Sequence, residues 1–62
     1  MTAATTPKAG EIILATSPAG NAAMHVYDPA GRIIETQAGM AEDLRDYAAS
    51  RYPETHVTEI NR

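Results

Sequence analysis

The sequence predicts a small α+β domain with its elements in the order β-β-β-α-β. Three observations point there. Short apolar runs with strand alternation fill residues 11–38 and are separated by turns rich in proline and glycine. Beyond Gly39 the apolar period lengthens to that of a helix. After Pro53 a last β-branched stretch carries Val57 and Ile60.

Residues 1–10, MTAATTPKAG, are small, polar and broken by Pro7, and they read as a flexible tail before a single domain over 11–62. Glu11-Ile-Ile-Leu-Ala-Thr16 opens that domain as a strand. Ile12 and Leu14 point to one side, Ile13 and Ala15 to the other, as expected of a central strand covered on both faces. Ser17-Pro-Ala-Gly-Asn21 is a turn, with proline presetting φ and glycine supplying a positive φ. The second strand is expected near 22–28, with Met24 and Val26 on one face and His25 and Tyr27 on the other.

Asp28-Pro-Ala-Gly31 has the residues that a tight hairpin needs. The aspartate caps the turn, the proline fits its second position, and Gly31 fits the left-handed position leading into the third strand, near 32–38. A helix is expected near 40–52, its stripe running through Met40, Leu44, Tyr47, Ala48 and Arg51 or Tyr52. Glu42 and Asp43 stand in its first turn and Arg51 in its last, as the helix dipole favours, and Pro53 ends it. The last strand falls near 55–61.

Three strands joined by short turns form an antiparallel meander, and the crossover from the third strand through the helix is right-handed. The two-sided apolarity of the first strand places the last one beside it, giving the spatial order 4-1-2-3. One helix covers one face of such a sheet. The other face needs a second copy of the chain or a partner protein. The size of the core argues the same way. Beyond the initiator there are 14 large apolar or aromatic side chains in 62 residues, with no Phe and no Trp, and no Cys to supply a disulfide. A homodimer is therefore expected.

The segment Tyr27-Asp-Pro-Ala-Gly-Arg-Ile33 resembles the repeating unit of the YD or Rhs repeat family, Tyr-Asp-x-x-Gly-Arg-hydrophobic, over about seven of the 62 residues. It occurs once, whereas repeat architectures need several copies to bury a core. Hairpin chemistry accounts for it, and no function is carried over. The order β-β-β-α also resembles that of small YegP-type domains and of the partial RNase H folds of HicB-type antitoxins. This is a likeness of order without a shared motif, and no residue is transferred.

Composition narrows function mainly by exclusion. Eight acids against five bases give a net charge of −3, which leaves no basic footprint for a nucleic-acid backbone. No stretch approaches the roughly 18 apolar residues of a membrane span. The first residues lack the apolar core of a secretory signal, so a cytoplasmic location is expected. No metal or cofactor is expected. His25 and His56 could meet across the sheet, but two ligands fall short of the usual three or four. Neither Ser17 nor Ser50 sits in a nucleophile elbow, and the glycines form no phosphate loop.

The candidate contact residues are Glu42, Asp43 and Asp46, an acidic group on the solvent side of the helix, with Tyr52 and His56 at the helix end. Tyr52 belongs in the first instance to the apolar stripe. A tyrosine there can also join Pro53 and His56 in a contact patch, since it pairs a large apolar body with a polar tip. The expectation is a non-enzymatic interaction module, homo-oligomeric, that binds or inhibits a larger protein in the manner of a phage- or plasmid-type inhibitor or antitoxin. A nucleic-acid-associated regulator stands second, with Arg32, Arg45, Arg51 and Arg62 brought together by dimerisation. A small enzyme with an intersubunit site stands third.

Overall fold

The structure is a computed structural model and describes residues 9–61. Its elements are β1 (Glu11–Thr16), β2 (Asn21–Tyr27), β3 (Ile33–Met40), α1 (Ala41–Arg51) and β4 (Val57–Asn61). They form one four-stranded sheet in the order β3-β2-β1-β4, the predicted arrangement. β1 pairs antiparallel with β2 and parallel with β4, and β3 pairs antiparallel with β2.

Both tight connections use the same chemistry. In Ser17–Gly20 and again in Asp28–Gly31 the fourth residue is a glycine with positive φ, 92° at Gly20 and 88° at Gly31. Each glycine N–H donates to the carbonyl of the first turn residue, at 3.0 and 2.9 Å. A side chain at either glycine would be strained by that backbone. Asp28 adds a cap, its Oδ1 accepting from the N–H groups of Ala30 and Arg32 at 2.9 Å each.

Strand alternation builds the core. Ile12 and Leu14 of β1 face the helix together with Met24 and Val26 of β2, and all four are fully buried. From above, α1 contributes Ala41, Leu44 and Ala48, and Tyr52 closes the cluster just past its end. Ala9 packs against this cluster, and the Gly10 N–H donates to the Tyr27 carbonyl at 2.7 Å. The rest of the expected tail, residues 1–8, lies outside the described residues.

The departures from expectation lie in β3 and at the helix start. β3 does not stop at Ala38 but runs to Met40, and α1 follows with no loop between them. Met40 is accordingly the N-cap, with extended backbone, and its side chain is half exposed rather than part of the helix stripe. The stripe is instead Ala41, Leu44, Ala48 and Tyr52, with Tyr47 half-buried beside it. Residues 55 and 56 precede β4, because the Thr55 N–H donates to the Tyr52 carbonyl in a turn.

The larger difference is a bulge. The β2–β3 register shifts between Val26, opposite Glu35, and Tyr27, opposite Ile33, so Ile34 is the extra residue. Ile34 packs against the core, Ile33 is left 54% exposed, and Glu35 faces the helix side of the sheet.

Candidate functional site: the open sheet face and the helix–sheet junction

The helix lies over β1, β2 and β3. Nothing among the described residues covers the opposite face. Alternation turns Ile13 and Ala15 of β1 to that side, next to Ala23, His25 and Tyr27 of β2. β3 adds Thr36 and Ala38, and β4 adds Thr58 and Ile60. Ile13, His25 and Tyr27 are half-buried among their neighbours, while Ile60 is 47% exposed. The only carboxylate that alternation places on these strands' open side is that of Glu11, at the end of β1.

The other constructed feature is at the junction of α1 with β3. The Glu35 carboxylate, on the helix side of β3, accepts hydrogen bonds from the hydroxyls of Tyr47 and Tyr52. Gln37 Nε2 donates to Oε2 at 2.9 Å, and Arg51 Nε stands 3.6 Å from Oε1. Burial alone pushes this carboxyl up. The two hydroxyls, the Gln37 amide and the Arg51 charge outweigh it and hold the group down at about 2. The tyrosines shift the other way. Hydrogen bonding to Glu35 raises Tyr47, and burial followed by that bond raises Tyr52. Arg51 also lies over the Tyr52 ring, 5.8 Å from its centroid. Sequence reading missed Glu35 because strict alternation after Ile33-Ile34 gives no sign of the bulge that places both Ile34 and Glu35 toward the core.

The acidic candidates Glu42, Asp43 and Asp46 are all exposed on α1. Arg45 crosses to β4 and grips Glu59 in a two-pronged pair at 2.9 and 2.8 Å. That pair lowers the Glu59 carboxyl. Tyr52 is buried, and it lines a groove between α1 and β4 together with Pro53 and Val57. His56 is exposed at a separate hollow, with Glu11, Tyr27 and the Asp28–Gly31 turn. The structure therefore places Tyr52 and His56 at different sites.

The described arginines are dispersed as well. Arg32 stands 3.7 Å from Asp28, Arg45 binds Glu59, and Arg51 lies beside Glu35. Arg62 lies outside the described residues. No group of three or more His, Cys, Asp or Glu side chains is placed to hold a metal ion among the described residues. Among the same residues, no helix is long and apolar enough to cross a membrane.

No protein family, characterised protein or solved structure matches this chain. The likenesses to the YD repeat unit and to YegP- and HicB-type domains therefore stay at seven residues and an order of elements.

Proposed function

We propose that this chain is a non-enzymatic protein-interaction module that self-associates through the open face of its sheet. The observation that carries the reading is that face itself. Ile13, Tyr27, Ala23, Ala38 and Ile60 form an apolar surface with no covering element among the described residues. The occupant is a second copy of the chain. A face with almost no charge meets itself without repulsion, although the whole chain carries −3.

Size fits a modest interface. Four strands about 4.8 Å apart and about six residues long span roughly 19 × 20 Å, or about 400 Å² in projection. A standard interface buries roughly 800 Å² of accessible surface per partner, so this face alone, at about half of that, makes a weak, concentration-dependent contact. Packed face to face, such a dimer turns α1 outward, and Glu42, Asp43 and Asp46 are then free to steer a basic partner protein. Dispersal of the described arginines, Arg32, Arg45 and Arg51, into separate ion pairs weighs against the nucleic-acid alternative.

Ile13→Glu tests the reading. In one copy the new side chain reaches solvent on the uncovered face, whereas in the dimer it is a charge in a dry interface. The wild-type chain should sediment as an oligomer at micromolar concentration and the variant as a folded monomer with unchanged far-UV circular dichroism. Equal association of the two proteins, or a monomeric wild type, contradicts the proposal.

A further inference from the structure

The two edges of the sheet are not equivalent, and their difference points to a second contact between copies. Among the described residues β3 is the longest strand, eight residues, and β4 the shortest, five residues. β3 contains no proline and no lysine, the usual guards of a free edge, and residues 36–40 are all exposed. Its one charge, Glu35, is held on the helix side by Tyr47 and Tyr52.

The hydrogen-bond pattern identifies which main-chain groups face outward. The Ser17 N–H donates to the Asn21 carbonyl and the Ala41 N–H to the Gly20 carbonyl. With the registers of β1–β2 and β2–β3, this makes the odd residues of β2 bond to β1 and the even ones to β3. Glu35, Gln37 and Gly39 therefore bond inward. The N–H and C=O groups of Thr36 and Ala38 and the N–H of Met40 point to the edge that is left unpaired among the described residues, while the Met40 carbonyl, at the N-cap, accepts the first bond of α1.

We propose that this edge pairs antiparallel with the same edge of a second copy, about a two-fold axis at Ala38. The proposal rests on the reading that the chain self-associates, and adds an edge contact to the face contact. Ala38 lies opposite itself and Thr36 opposite Met40, so the Ala38 pair supplies two main-chain bonds and the Met40 N–H of each copy donates to the Thr36 carbonyl of the other, about four bonds in all. On the helix side Gln37 of each copy lies opposite Gly39 of the other, where a side chain has open space around it. Glu35 falls opposite Ala41, so no like charges meet. The bulge at Ile33–Ile34 twists the start of β3 away and confines pairing to 36–40.

The β4 edge lacks this self-complementarity. The Ile12 N–H donates to the His56 carbonyl, which leaves Val57, Glu59 and Asn61 bonding outward. Centred antiparallel pairing of β4 then sets Glu59 opposite Glu59, and like charges directly opposite are destabilising. β3 pairing joins two four-stranded sheets into one of eight strands. Their open faces become continuous, which doubles the apolar area that a single face offers.

Nuclear magnetic resonance on a mixture of isotope-labelled and unlabelled wild-type chains tests this. The amides of Ala38 and Met40 should exchange at least about tenfold slower as concentration rises from micromolar to near millimolar. Contacts between the α-protons of Gln37 in one copy and Gly39 in the other should appear in the filtered spectrum. Free exchange of those two amides at the higher concentration overturns the proposal. Intermolecular contacts from Ile13 and Tyr27 in that same spectrum would show that face pairing stands without it.

Discussion

Replacing Glu35 by glutamine probes the junction that ties α1 to the edge of the sheet. Four donors converge on this carboxylate: Tyr52 and Arg51 at Oε1, Tyr47 and Gln37 at Oε2. Glutamine keeps one acceptor oxygen but sets an NH2 group against one of those donor pairs. Lowering of the carboxyl from 4.5 to about 2 is equivalent to roughly 3 kcal/mol. The side chain is 16% exposed, and solvent screening reduces that to about 2 kcal/mol. For so small a domain the melting temperature should fall by about 8–16 °C at neutral pH.

The pH dependence makes the test specific. The folded state holds Glu35 ionised at a lower pH than the unfolded chain does, so the unfolded chain binds the proton first. Its contribution is complete above about 4.5 and is lost as pH falls toward about 2. The amide of the variant takes up no such proton. The stability gap between wild type and Glu35→Gln should therefore narrow through that window and close near its lower end. Thermal melts followed by circular dichroism across the range measure it. A gap that stays constant with pH, or a variant that melts with the wild type, refutes the reasoning.

Other substitutions separate the remaining claims. Gly31→Val should cost about 1 kcal/mol or more, wholly from backbone strain, because nothing lies within 4 Å of the added Cβ; an unchanged melting temperature contradicts the positive φ. Ile12→Val should cost about 0.5–1.5 kcal/mol, whereas Ile33→Val, at a half-exposed bulge position, should cost a few tenths in denaturant titrations. Equal costs would place Ile33 in the core after all. Asp43→Asn with Asp46→Asn should leave folding unchanged or slightly improved, while slowing association with a basic partner and flattening its salt dependence. Wild-type association rates across a range of salt would reduce the cluster to solvated surface.

Much of this fold was legible in the residues because local and global signals agree. The two Pro-Ala-Gly turns, the alternation through β1 and β2, and the change of period after Gly39 each specify an element without tertiary help. The order 4-1-2-3 followed from Ile13 and Ala15, which made β1 a central strand. What stayed hidden depends on contacts between distant residues. Consecutive isoleucines at 33 and 34 do not reveal which is buried, since the bulge is set by pairing with Val26 and Tyr27. Glu35 reads as a surface acid until Tyr47 and Tyr52 are seen above it. The ion pair of Arg45 is hidden for the same reason. Glu42 is close in sequence, but the parallel pairing of β4 with β1 brings Glu59 nearer. The open face was legible as a need for cover, from the count of strands against one helix.

Intermolecular contacts in a sample of labelled and unlabelled wild-type chains test that need most directly. Self-association through the sheet predicts cross-peaks from the methyl groups of Ile13 and Ile60 in one copy to the rings of Tyr27 and His25 in another. Cross-peaks confined to residues of α1, or none at all from a folded chain at near-millimolar concentration, would contradict it.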